Sequence, residues 1–248
     1  MDLVRELEPL LLAAVRVTVF LVLAPPFAHR AVPAAVKAIL GVGLAFALAP
    51  PLAAPNLSTA GFIGQLVSEA VIGGGLGILV AVVFAAVQTA GRLIDNLGGF
   101  EMGMAFDPMS MTSGGQFTQL YALAATVLLF ASDGYQLVIG GLARSFDALP
   151  LGATLDLPAL AGSLTGAVGQ MMVAALQVAG PLIAVLFLAD VGLGLLTRVA
   201  PALNAFALGF PLKILITLVL GTFALVALPR VVAGLAQDAL GGIAGVAG

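Results

Sequence analysis

The run FIGQLVSEAVIGGGLGILVAVVFAAVQ, from Phe62 to Gln88, decides the fold. A helix rises 1.5 Å per residue and the hydrocarbon core of a bilayer is about 30 Å thick, so about 20 apolar residues span it. Five further stretches answer to the same ruler: Leu7 to Leu23, Val36 to Leu52, Leu120 to Leu142, Gly169 to Leu188 and Leu212 to Leu228. Strands of a membrane barrel would alternate apolar with polar residues, and these stretches do not. Helices satisfy their own backbone groups in lipid. The expectation is an all-α polytopic membrane protein of about six helices. Gly73-Gly74-Gly75 with Gly77 in the third and Gly180-Pro181 in the fifth predict kinks.

Composition agrees. Of 248 residues, 61% are apolar and 8% are charged, 9 basic and 12 acidic, whereas soluble domains carry roughly 25% charged residues. Mean hydropathy is +1.19. A soluble enzyme, a disordered chain and a nucleic-acid binder are excluded, the last because a net charge of −3 offers phosphates no basic footprint. There is no cysteine, and His29 is the one histidine. Thiol nucleophiles, disulfides, Cys/His zinc sites and histidine triads fall with them. The N-terminal residues carry three acids (Asp2, Glu6, Glu8) against Arg5, unlike the basic start of a signal peptide, so the first apolar run is expected to be retained. Basic residues near span ends number five on one side (Arg30, Lys37, Arg92, Arg198, Lys213) and three on the other (Arg5, Arg144, Arg230). This count favours both termini outside.

One domain, residues 1–248, is expected, with Pro-marked connectors and one long connector over residues 89–119. That connector holds Arg92, Asp95, Glu101 and Asp107, the pairs Gly98-Gly99 and Gly114-Gly115, and four of the seven methionines (Met102, Met104, Met109, Met111). Long loops between packed elements are where function concentrates. The three acids recur every six residues, so a helix would turn them to different faces. A solvated loop explains them more simply than a metal site. Unbranched methionines adapt to surfaces that change shape, which suits a deformable seal. The glycines at 73–77 lack the Lys-Ser/Thr of a phosphate loop. Gly73 and Gly77, four apart, are expected to let two helices approach closely.

Arg16 lies in the middle of an apolar run, where a lone guanidinium facing lipid costs at least a few kcal/mol. Pairing with an acid or with backbone carbonyls at a buried helix junction is preferred to snorkelling. Asp133 and Asp190 lie in or at the end of spans. Helix-end or inter-subunit hydrogen bonding is preferred for both over a proton relay or a protease dyad, because the Gly-x-Gly-Asp pattern of intramembrane aspartyl proteases is missing.

The connector and its flanks form a longer string: Thr89-Ala90-Gly91-Arg92-Leu93-Ile94-Asp95, then Gly99-Phe100-Glu101-Met102-Gly103-Met104-Ala105-Phe106-Asp107-Pro108. Leu128-Leu129-Phe130, Asp133-Gly134-Tyr135 and Ser145-Phe146-Asp147-Ala148-Leu149-Pro150-Leu151-Gly152 follow. Arg16, Pro25, Arg30, Val32-Pro33 and Val36-Lys37 stand before it; Gly192-Leu193-Gly194-Leu195-Leu196-Thr197-Arg198-Val199-Ala200-Pro201 and Asn204-Ala205-Phe206-Ala207-Leu208-Gly209-Phe210-Pro211-Leu212-Lys213 stand after it. Ordered along nearly the whole chain, these blocks resemble the FliR/SctT family of type III secretion export-gate proteins, flagellar and injectisome members alike. Leu97, Tyr135 and Ala202 depart from the polar residues usual there.

The resemblance implies a non-catalytic inner-membrane subunit of the flagellum basal body, without cofactor. It would form with FliP and FliQ, adjoining FlhB, the gate through which unfolded flagellar subunits pass. In that family the gate is described as lying largely above the bilayer. The resemblance assigns a pore plug to Phe106, Asp107, Pro108, Met109, Ser110, Met111, Thr112, Ser113, Gly114, Gly115 and Gln116, and polar contacts to other subunits to Arg16, Asp133, Asp190 and Asn204. An injectisome gate subunit is the alternative. A proton-coupled small-molecule transporter using Asp133 and Asp190 would call for an internal repeat, and the chain has none that convinces.

Overall fold

A computed structural model describes residues 2–25, 27–48, 58–100, 115–153, 156–200 and 205–245. Phe106 to Gly114 of the expected plug, and Asn204, lie outside them. The described residues form helices α1 (Asp2–Leu23), α2 (Ala34–Leu48), α3 (Thr59–Gly98), α4 (Gln116–Ala131), α5 (Gly134–Ala148), α6 (Leu157–Val199) and α7 (Ala205–Gly245). The all-α expectation holds. Both α3 and α6 are long and apolar enough to cross a membrane alone.

The helices overrun the apolar segments used to find them. α3 continues ten residues past Gln88 to Gly98, so Arg92 and Asp95 are helical and the long connector is shorter than its sequence suggested. α6 starts at Leu157 and α7 at Ala205, absorbing Pro158 and Pro211. Hydropathy locates what is buried in lipid or protein, and says little of where hydrogen bonding stops.

The expected fourth span, Leu120 to Leu142, is not one helix. It breaks after Ala131 into α4 and α5, which are bent by 74°. Asp133 at the break takes the left-handed conformation, φ 54°, which short polar side chains tolerate better than other L residues. Its carbonyl accepts a hydrogen bond from the Gln136 N–H at 2.9 Å, opening α5.

The chain divides into two compact units. The first comprises residues 1–83, 129–169 and 236–248. Within it α1 turns one face inward: Leu12, Ala13, Arg16, Val17, Phe20, Leu21 and Ala24 are buried, the spacing of a helical stripe. Two glycines of α3 set how close α1 comes. A Cβ on Gly73 would overlap the Arg16 carbonyl oxygen, and one on Gly77 would sit 3.0 Å from that of Phe20. The second unit comprises residues 84–128 and 170–235. Its interior includes Val87, Ala90 and Ile94 of α3, Phe117 and Tyr121 of α4, and Val178 and Leu182 of α6.

Candidate functional site

In the first unit the burial of Arg16 is matched group by group. Its Nε donates to Glu69 Oε2 at 2.6 Å, within a salt bridge whose two side chains are wholly inaccessible. One terminal nitrogen donates to the Ser145 carbonyl at 2.9 Å and the other to the Leu149 carbonyl at 2.8 Å. These carbonyls belong to the last turn and cap of α5, its negative end; that of Ser145 also accepts the Leu149 N–H at 2.9 Å. The guanidinium also lies 4.5 Å from the centroid of the Phe146 ring. Gln65 Nε2 donates to the other Glu69 oxygen at 3.2 Å. One residue therefore joins α1, α3 and the end of α5. Only the planar fork of arginine presents donors in those directions; lysine would offer a point charge.

A second buried carboxylate lies in the second unit, at the junction of α3 and α4. α3 stops at Gly98, and Gly99 takes φ 85°, a conformation that needs glycine. The Phe100 N–H then turns back to the Asp95 carbonyl at 3.0 Å, closing the helix in the Schellman manner. The Asp95 side chain is inaccessible to solvent. Its Oδ1 accepts from the Phe117 N–H at 2.9 Å. Its Oδ2 accepts from the Thr118 N–H at 2.8 Å and the Thr118 hydroxyl at 2.7 Å. Asp95 thus caps the first turn of α4 from 22 residues upstream, its charge set against the positive end of that helix. This corrects the reading of Asp95 as a solvated loop residue.

The surroundings leave little slack. A Cβ on Gly115 would overlap the Asp95 carboxylate, and one on Gly91 would come within 2.7 Å of the Thr118 Cα. Phe100 meets Phe117 edge-on at 5.3 Å, and Phe117 meets Tyr121 at 6.3 Å. The Tyr121 hydroxyl reaches the Gly221 carbonyl on α7 at 3.3 Å. Phe100 and Phe117 therefore meet at one junction, closed around the Asp95 carboxylate.

Of the other sequence-derived candidates, Gly115 and Gln116 stand at that junction, Gln116 opening α4. Asp133 is exposed at the α4–α5 break and makes no side-chain cap hydrogen bond. Asp190 is paired with Lys213 at 2.7 Å on a partly exposed face of the second unit. Arg16 and Asp133 belong to the first unit and Asp190 to the second. Among the described residues no group of three His, Cys, Asp or Glu side chains could hold a metal ion. Sequence reasoning missed Glu69, although an acid within the third apolar run was itself a signal.

Large apolar side chains stand exposed along the length of α6, among them Leu157, Val168, Val173, Phe187, Leu195 and Val199. On α7, Leu215, Phe223 and Val226 do the same. Such faces mark surfaces meant for lipid or protein.

Residues 7–239 match the family model described as bacterial export proteins, family 1. The flagellar biosynthetic protein FliR of Pectobacterium carotovorum subsp. carotovorum is 34% identical over 220 residues, 86% of this chain and 82% of that protein. FliR of Escherichia coli (strain K12) is 34% identical over 206 residues, 80% of this chain and 77% of its own. The secretion system apparatus protein SsaT of Salmonella typhimurium is 32% identical over 158 residues, 63% and 61% of the two chains. With a matching family model over nearly its whole length and these relatives beside it, the chain belongs to the bacterial export proteins of family 1.

Proposed function

We propose that this chain is a non-catalytic subunit of the flagellar type III protein export gate. In the inner membrane, at the flagellum basal body, it forms with FliP and FliQ, next to FlhB, the channel taken by unfolded flagellar subunits. The observation that carries this reading is the extent of unpartnered apolar surface on α6. That helix has 43 residues, about 65 Å at 1.5 Å per residue, roughly twice a bilayer's hydrocarbon core. Its exposed side chains run from Leu157 to Val199. Lipid covers part of such a face, and apolar partner subunits fit the remainder. The segment Phe106 to Gln116 serves as the plug, its methionines conforming to a closed pore.

Purifying the tagged full-length chain from membranes in mild detergent tests the assignment. FliP and FliQ are expected to co-elute; a chain recovered alone as a homodimer overturns it. The FliR relatives cover more of this chain than SsaT does, which favours the flagellar over the injectisome system. Deleting the gene is accordingly expected to abolish flagella; flagellated cells that lose effector secretion would point to the injectisome instead.

A further inference from the structure

We propose that the open face of α6 around Gln177 seats an apolar helix of a neighbouring subunit, one that brings hydrogen-bonding side chains; this inference rests on the gate reading above for there being such a subunit. From Gln170 onward α6 belongs to the second unit. One side of this stretch is buried, at Ala175, Val178, Leu182 and Leu186. The opposite side carries Gln170, Val173, Gln177, Ala184, Phe187 and Val191, all exposed, at the three-, four- and seven-residue spacings of one helical stripe.

Two glutamines are out of place on such a stripe. Gln177 lies at the middle of the apolar run Gly169 to Leu188, where acyl chains offer an amide neither donor nor acceptor. Neither the Gln170 nor the Gln177 amide has a hydrogen-bond partner among the described residues. The main chain adds to the demand at the same place. Pro181, four residues after Gln177 and exposed like it, has no N–H, so the Gln177 carbonyl loses its ordinary helical donor. Beside it Gly180 is bare, and a Cβ there would meet nothing within 4 Å, so a second backbone can come close. Groups freed in this way within a membrane are satisfied by a neighbouring helix. Its hydroxyl or amide side chains donate to the Gln177 carbonyl and exchange hydrogen bonds with the two glutamines, while its apolar residues cover Val173, Phe187 and Val191. An acyl chain matches the apolar part alone and leaves three polar groups unmet.

The test compares full gates carrying Gln177→Leu or Gly180→Leu with wild type. The amount of chain in the membrane reports its folding, and the rate at which the purified gate falls apart in detergent reports docking. Leucine at 177 suits lipid better than glutamine does, so a lipid-facing site predicts a gate as stable as wild type or more so. The expected result has the opposite sign: chain at the wild-type level, in a gate that dissociates about three- to twentyfold faster, the worth of one interhelical hydrogen bond in a membrane. Gly180→Leu fills space that this chain leaves open, and should prevent assembly without lowering the amount of chain. The chain has no cysteine, so Gln177→Cys supplies a unique thiol for a photo-activated cross-linker, and a cross-link to a different subunit of the gate is expected. A cross-linked pair of this chain would make a second copy the occupant and overturn the proposal. Gates that tolerate both leucines overturn docking at this face and leave the gate reading standing. A wild-type chain that purifies without a partner overturns the gate reading, and this inference with it. Should neither leucine variant accumulate in the membrane, the face serves the chain's own folding and the docking role is withdrawn.

Discussion

Gly73 and Arg16 meet through the main chain: the bare Cα of Gly73 on α3 faces the Arg16 carbonyl so closely that a Cβ would overlap its oxygen. The obstacle is backbone, which cannot swing aside as a flexible side chain can. Gly73→Ala is therefore expected to destabilise the protein by about 1–3 kcal/mol, the usual penalty of overpacking. Gly43→Ala on α2, where nothing lies within 4 Å, is expected to be neutral or to stabilise by up to about 1 kcal/mol through helix propensity. Thermal unfolding of the purified chain in detergent compares the two; an equal response would mean that α1 and α3 are not in this contact.

The same crossing carries the charge of Arg16, and removing either partner leaves a buried ion unmatched. Arg16→Met and Glu69→Met are each expected to cost about 3–5 kcal/mol. The double variant should cost clearly less than their sum, because no charge is then stranded. It should not return to wild type, since the Leu149 carbonyl still loses its guanidinium donor and the Ser145 carbonyl keeps only the Leu149 N–H. A double-mutant cycle on unfolding in detergent gives the coupling; simple additivity would deny the pair.

Asp190 and Lys213 present the opposite case. Their side chains are 48% and 23% exposed, and ion pairs in contact with solvent are worth about 0–1 kcal/mol. Asp190→Asn is expected to leave stability within that range and export unchanged. Loss of small-solute uptake in the same variant would instead revive the transporter reading.

Asp133 sits at φ 54° without a side-chain cap hydrogen bond, so its carboxylate does little there that glycine could not. Asp133→Gly is expected to stabilise the α4–α5 break by about 1 kcal/mol, by removing the Cβ strain of the left-handed conformation. Asp133→Ala should destabilise it, and Asp133→Asn should support normal motility. A motility defect in Asp133→Asn would assign the charge a role beyond the bend.

Local chemistry made the helical class legible, because apolar runs of this length have few other solutions. It also flagged Arg16 as costly, without naming its acceptors. Glu69 lies 53 residues away and Ser145 129, and no periodicity within one run links such positions. The break at Asp133 escaped notice because Ser132-Asp133-Gly134 is a short polar interruption that averaging over a span conceals. In sequence Asp95 reads as one of three evenly spaced acids of a solvated loop. Its burial depends on the first turn of α4, which begins only after the connector, and nothing beside Asp95 announces it.

The arginine staple also imposes a schedule on the making of this protein. Arg16 emerges early in translation, while its carbonyl acceptors follow 129 and 133 residues later. At about 5–20 residues per second, the counter-ion Glu69, 53 residues on, follows within roughly ten seconds, and the two carbonyls complete the set only after about 6–27 seconds. During that wait, water or lipid headgroups hold the Arg16 charge better than acyl chains do. α1 therefore acquires its full set of partners only once α5 has been made, well after the helix itself.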